Sequence, residues 1–262
     1  MKQLALAIIL TLVTSCTSLK SWMNWSQPVD PVLQLFEVKD KDYIDHLASL
    51  ANHYKATESK SLRTLSPRSM KYLSEIHQKL VRNNELVLDP HIKPSFNLIK
   101  SPTPFIFSLP KGQYFFSTEA IMRYMQNEEI FVAALSHEII RSHRNIYEKK
   151  AIIPTGYLQL EKLLSLVRLP NEIRHEVNKL SFYLVKRGGY DGGAILNWLQ
   201  ILNKNSLVFT TLLGDPRLIS REEFNFKNFL VSETSGDLSL VGSDSNSNPD
   251  YYLFINEIRG FL

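Results

Sequence analysis

The stretch NEEIFVAALSHEIIRSHRN, residues 127–145, decides the predicted fold, because a helix start and a cluster of reactive side chains fall together in it. Asn127 is a good N-cap, and the two glutamates after it favour the positive end of the helix dipole. Apolar residues then recur at helical spacing as far as His137 and Glu138. Arg141 follows three residues after the glutamate, on the same helix face. The sequence therefore predicts a central helix that carries an imidazole, a carboxylate and a guanidinium side by side.

The rest of the pattern predicts an α+β fold that is mostly helical. Two apolar stretches, residues 94–101 and 105–116, are typical of strands, and a turn at residues 110–112 divides the second one. We expect this small β-sheet or hairpin to pack on the central helix. Apolar spacing and capping signals predict further helices, of which the last is expected to be the last long helix of the chain: 41–55, 67–83, 158–167, 170–187 and 192–204.

Composition indicates a globular protein without a nucleic-acid partner. The chain has 262 residues, of which 44% are hydrophobic and 21% are charged, and this balance is ordinary for a folded domain and wrong for a disordered chain. The formal net charge of +4 is small for this length. It hints at anionic surroundings but does not argue for nucleic-acid binding.

The N-terminus resembles that of an exported lipoprotein. Lys2 precedes an apolar run, residues 4–13, that is too short to span a bilayer but suits a secretory signal peptide. The run ends at Val-Thr-Ser-Cys, residues 13–16, which resembles the bacterial lipobox, in which the cysteine becomes lipid-modified after cleavage. Cys16 is the only cysteine of the chain, so no disulfide framework competes for it. The next residue, Thr17, is not the aspartate that resembles an inner-membrane retention signal.

These features predict the domain organisation and the location of the protein. We expect a signal peptide over residues 1–15, a lipidated N-terminus and tether over 16–39, a main domain over 40–204 and a C-terminal extension over 205–262. The extension contains a flexible Ser/Asp/Asn loop at 232–250, because its composition is polar and of low complexity. By the lipobox analogy, the protein is anchored in the bacterial cell envelope, at the outer membrane and facing the periplasm. An ordinary signal peptide followed by a chance cysteine is the alternative.

Three blocks of the chain resemble one enzyme family in their order and spacing. They are SPTPFIFSLPKGQYFFSTEAI at 101–121, NEEIFVAALSHEI at 127–139 and RHEVNKLSFYLVKRGGYDGGAILNWLQIL at 174–202. Together they resemble the HtpX/BepA-type (Ste24-like) zinc metallopeptidase family: its strand and turn, its H-E-x-x-H helix, and its third-ligand helix with the following Gly-Tyr-Asp turn. The resemblance implies a metallopeptidase-like (zincin) domain.

The chemistry of that family defines what this chain should carry. A catalytic zinc ion takes three protein ligands, at roughly 2.0–2.2 Å, and a water molecule. Two histidines one helical turn apart reach one ion, and the glutamate beside the first takes a proton from the bound water. By resemblance, His137 occupies the first metal-ligand position, and Glu138 is the catalytic base if the site is active.

The chain departs from this pattern at the other ligand positions. Arg141 stands where the second histidine belongs, Arg174 falls on the third-ligand glutamate, and Asn178 replaces an aspartate. A guanidinium has no lone pair to give to a metal and stays charged at any working pH. We therefore expect no cofactor, and we expect an arginine–glutamate cluster to take over the structural role of zinc. In that cluster Arg141 pairs with Glu138, and Arg174 approaches the same carboxylate.

Other residues offer alternatives. His143 is a candidate substitute ligand, or else a solvated histidine at the helix end, because it lies six residues beyond the first ligand position. Glu172, His175 or Glu176 would supply a ligand if the alignment of the third block were shifted. The strand at 105–109 resembles the family strand beside the cleft, where an extended peptide can add, and an ordinary edge strand is the competing interpretation.

Three functions are compatible with these features. The first is a zinc-less pseudopeptidase of the envelope that binds unfolded or envelope proteins in its cleft as an adaptor or quality-control factor. The alternative is an active periplasmic zinc metalloendopeptidase that uses His137 and Glu138 with non-standard ligands, and its cofactor would be zinc. The third is a purely structural envelope lipoprotein, for which Cys16 matters and the cleft does not.

Overall fold

The fold is given by a computed structural model that describes residues 39–149, 158–233 and 247–261. The predicted signal peptide, the lipidation site Cys16 and most of the polar loop at 232–250 lie outside these residues. The described residues from Tyr43 onward form one compact unit. Within these ranges, every helix is too short or too polar to cross a bilayer.

The architecture of the described residues is α+β and mostly helical, as the sequence predicts. The helices are α1 (Asp40–Thr57), α2 (Pro67–Arg82), α3 (Glu128–His143), α4 (Leu160–Val167), α5 (Asn171–Arg187), α6 (Ala194–Lys204), α7 (Thr210–Leu213), α8 (Arg217–Glu233) and α9 (Pro249–Arg259). The strands are β1 (Leu62–Arg63), β2 (Ser95–Ile99), β3 (Ile106–Leu109) and β4 (Gln113–Ser117), and a π-helical turn follows at Ala120–Tyr124.

The four described strands form one mixed sheet in the order β1-β2-β4-β3. β2 and β4 are parallel, whereas β3 and β4 form an antiparallel hairpin in which Leu109 lies opposite Gln113. The tight turn between them contains Lys111 and Gly112, with φ angles of 64° and 74°. A side chain at Gly112 would approach the Lys93 carbonyl oxygen to 2.8 Å, so this position requires glycine.

The hairpin is apolar on both faces because each face packs against helices. Ile106 and Tyr114 belong to a large core cluster together with residues of α2, α3, α5, α6, α8 and α9. Phe107 and Phe115 face the other way, into a smaller cluster with α1 and α4. Their rings stack at a centroid distance of 4.9 Å. Successive strand residues therefore enter different clusters, as the period of two requires.

α3 is the central helix and is buried on nearly every side. It begins as predicted, because the Asn127 side chain accepts a hydrogen bond from the Ile130 amide at 2.9 Å. It packs against α5, α6 and β3. Polar side chains on such a helix must find partners inside the protein. The local environment of Glu138, Arg141 and His143 therefore decides what this part of the molecule can do.

The C-terminal residues belong to the same core, and the prediction that they hold no further long helix is wrong. α8 has 17 residues and packs against α5 and α6. The sequence of α8 lacks the usual amphipathic pattern, because Glu222 is 1% exposed while Phe224 is 61% exposed. The last described helix, α9, also joins this core through Tyr251, Phe254 and Ile258. In α9, Glu257 accepts hydrogen bonds from the backbone amide and the hydroxyl of Ser66, at 2.5 and 2.7 Å.

Candidate functional site

A partly open cavity of about 70 Å³ contains in its wall the five residues predicted for the metal site. It lies between α3, α5, α6 and α8. The structure thus brings His137, Glu138 and Arg141 of α3 together with Arg174 and Asn178 of α5. The rest of the wall is mainly apolar, and it includes Ile106, Trp198, Leu199, Leu202, Leu212 and Leu213.

Glu138 is held by three hydrogen-bonding side chains. Nη1 of Arg141 lies 3.0 Å from each carboxylate oxygen. The Ser108 hydroxyl, on β3, donates to Oε2 at 2.7 Å. The Nδ1 atom of His137 lies 3.3 Å from Oε1. The expected pairing of Glu138 with Arg141 is therefore confirmed, and the side chains of both residues are almost completely buried.

These partners keep the carboxylate of Glu138 ionised. Burial alone raises its pKa, but the charge of Arg141 and the hydrogen bonds from His137 and Ser108 outweigh it and lower the pKa to about 2. A general base works best when its pKa lies near the working pH. A carboxylate with a pKa of about 2 and three donors around it is a weak base.

Arg141 connects α3 to the end of α4. Its Nη2 atom donates a hydrogen bond to the carbonyl of Val167, the last residue of α4. A positive charge is favourable at this end of a helix, where carbonyl groups lack partners. The guanidinium also lies 5.6 Å from the ring centroid of Tyr147, whose hydroxyl is 3.2 Å from that of Ser108. The arginine is thus fixed from two sides.

Arg174 does not approach Glu138, and this expectation is wrong. Its Nη2 atom instead lies 2.6 Å from Oε2 of Glu222, on α8. The amide of Asn178, one turn later on α5, donates to the other oxygen of Glu222 at 2.6 Å. The sequence gives no signal for this partner, because Glu222 lies 44 residues or more away in a segment that shows no clear helical pattern.

The alternative ligands do not join the cavity. Glu172 and Glu176 are exposed, and His175 lines a separate surface depression. His143 is neither near the cavity nor solvated, because it is buried, and its Nε2 atom lies 3.1 Å from Nε2 of His77. The helix ends at His143, and the imidazole turns towards α2. The expectation of a solvated histidine is therefore wrong.

The residues of the cavity do not fit a zinc ion. Two of the three expected ligand positions hold the guanidinium groups of Arg141 and Arg174, which have no lone pair for a metal. Within residues 39–149, 158–233 and 247–261, no three histidine, cysteine, aspartate or glutamate side chains form a group suited to a metal ion. Three arginines and two glutamates in the wall sum to one net positive charge.

No protein-family model matches the chain, and no curated protein matches it significantly.

A double-mutant cycle tests the buried pair. Arg141→Met should lower the free energy of unfolding by about 3–5 kcal/mol, because it leaves Glu138 charged and buried without its cation. Glu138→Gln should have a comparable effect. The two changes together should cost less than their sum, with a coupling of about 1–3 kcal/mol in urea unfolding.

The exposed pair Lys71–Glu75 of α2 is the matched control, with an expected coupling of about 0.5 kcal/mol or less. Equal coupling in the two pairs would contradict a special role for the buried one.

The stability that Glu138 contributes should depend on acid pH. Its pKa is lowered in the folded protein from 4.5 to about 2, so the contribution is fully present above pH 4.5 and is lost as the pH falls towards 2. The difference in unfolding free energy between the wild type and Glu138→Gln should therefore shrink over this range. Glu85→Gln, at an exposed position, should show no such change. A constant difference for Glu138→Gln would contradict the assignment.

Proposed function

We propose that this protein is an envelope lipoprotein with a metallopeptidase-like fold, and that it binds protein segments without cleaving them. It is a zinc-less pseudopeptidase that acts as an adaptor or quality-control factor. One observation carries the proposal: the side chain at the expected second-ligand position, Arg141, donates to both oxygens of the would-be base Glu138.

The loss of hydrolysis follows from that contact. In a zinc peptidase the glutamate must accept a proton from metal-bound water. Here Glu138 has a pKa of about 2 and is occupied by Arg141, Ser108 and His137. The third-ligand position is also taken, because Arg174 is paired with Glu222. Neither the metal nor the base that this reaction needs has a place in the arrangement.

The wall of the cavity supports binding. Its apolar side chains, which include Trp198 and Leu212, can contact an apolar group, and its net positive charge favours a neighbouring acidic one. A volume of about 70 Å³ holds a few water molecules, so we expect a ligand to insert one side chain. Strand addition at residues 105–109 gains no support, because the edge strand β3 is buried and α4 packs against it.

The lipid anchor rests on the sequence of residues 1–16 alone. Such an anchor supports a periplasmic location, and unfolded envelope proteins are the partners that we propose for the cavity.

Zinc content and proteolysis separate this proposal from the active-enzyme alternative. Any zinc found in the purified full-length chain should also be found in His137→Gln, because it does not depend on this cavity. The chain should not hydrolyse casein. Arg141→His alone should gain no zinc, because Arg174 remains. Arg141→His combined with Arg174→Glu should gain zinc if the fold is zincin-like, because it restores the ligand set. Casein hydrolysis by the wild type that disappears in Glu138→Gln would establish the peptidase instead.

Casein also serves as a defined unfolded ligand for the binding test. Labelled β-casein should bind the wild type in fluorescence anisotropy. Leu212→Trp should weaken binding about tenfold, a loss of about 1.4 kcal/mol, because the larger ring fills the cavity. Leu207→Trp, at a position 82% exposed and outside the cavity, is the control and should bind normally. Equal binding by both variants would place the interaction elsewhere and contradict the proposal.

A further inference from the structure

A second group of polar side chains lies on the far side of the central helix. It consists of His77 on α2, Tyr114 on β4 and His143 at the end of α3, three residues that are at most 7% exposed. The Nε2 atom of His77 lies 3.1 Å from Nε2 of His143 and 3.2 Å from the hydroxyl oxygen of Tyr114. Neither contact belongs to the cavity that contains Glu138.

Hydrogen bonding alone satisfies this group poorly. A ring nitrogen either donates one proton or accepts at one lone pair, yet Nε2 of His77 has two close polar neighbours. Buried polar groups are normally paired, so a site with too few partners needs an explanation.

The geometry points to a binding site for a divalent transition-metal ion of the zinc type, with the Nε2 atoms of His77 and His143 and the hydroxyl oxygen of Tyr114 as ligands. Ligands at 2.0–2.1 Å from a tetrahedral ion lie roughly 3.3 Å from one another, which is close to the two separations observed. Imidazole is the side chain that zinc, copper and nickel ions share as a preferred ligand.

The surroundings of the two imidazoles add a negative charge. The carboxylate of Asp89 interacts with His143 and favours a bound cation near it. Tyr114 is completely buried, and a neutral phenol is the weakest of the three ligands.

An entry path for the ion is present. A cavity of about 370 Å³, open to the surface, reaches His77 and is lined also by Glu85, Gln78 and Ser74. His143 and Tyr114 do not line it, so an ion would reach them past His77. A water molecule would be the fourth ligand. A bound ion would join α2, β4 and the end of α3, and it would leave the pair of Glu138 and Arg141 untouched.

Metal titration of the full-length chain, purified without a polyhistidine tag and stripped with a chelator, tests the site. Cobalt(II) is the spectroscopic probe and zinc is the competitor. The wild type should bind about one equivalent at a four-coordinate site. His77→Gln and His143→Gln should each weaken binding by at least about 100-fold, since even the loss of a supporting second-shell group costs 10–100-fold. Tyr114→Phe should weaken it less.

Two control variants show whether the ion binds at this site or elsewhere. His53→Gln, at an exposed position on α1, and His137→Gln, in the other cavity, should bind cobalt as the wild type does. Loss of binding only in His137→Gln would overturn this site and restore the peptidase centre. Binding that survives in His77→Gln and His143→Gln, or no binding in the wild type, would also overturn it.

X-ray absorption of the zinc-loaded wild type identifies the zinc ligands directly, so this test does not depend on the folding of any variant. Two imidazole ligands per zinc are expected, and an ion held only by oxygen ligands would contradict the site.

Discussion

The buried contact between Glu138 and Arg141 is the interaction on which the arrangement of the cavity depends. α3 is enclosed by other elements, so a carboxylate on it requires a cation and further donors within the protein. The same two side chains reach outwards, through Ser108 to β3 and through the carbonyl of Val167 to α4. One ion pair thus sets the relative positions of a strand and two helices.

A second buried ion pair, between Arg174 and Glu222, joins α5 and α8 in a similar way. Arg174 and Asn178, one turn apart on α5, each contact one carboxylate oxygen of Glu222 on α8. Buried ion pairs add little stability over apolar residues of similar volume, because desolvation offsets most of their attraction. Their geometry is directional, however, and here each fixes how neighbouring elements meet. In this wall the ion pairs fix the positions of the surrounding elements, and the apolar side chains supply the surface that a ligand would contact.

Local signals predicted much of this fold. Ser66 and Pro67 mark the start of α2, the glycines from Gly188 end α5, and the residues around Lys111 form the turn of the hairpin. The contact between Glu138 and Arg141 was predictable because the two residues are three positions apart on one helix. Signals of this kind lie within a few residues of the feature that they specify.

Partners far apart in the chain were not predictable. Arg174 was expected on the wrong carboxylate because Glu222 belongs to a helix that carries buried acids and an exposed Phe224, the reverse of an amphipathic pattern. His143 was expected to be either a substitute ligand or a solvated histidine, because nothing near it in the sequence indicates that His77 faces it, 66 residues away. Single-sequence patterns describe faces of helices, and they do not describe which faces meet.

The position of α9 has a consequence for the order in which the molecule is made. Tyr251, Phe254 and Ile258 are completely buried in the large core cluster, and Glu257 caps the beginning of α2. They belong to the last described helix, so the large core cluster is incomplete until residues 249–259 have been synthesised.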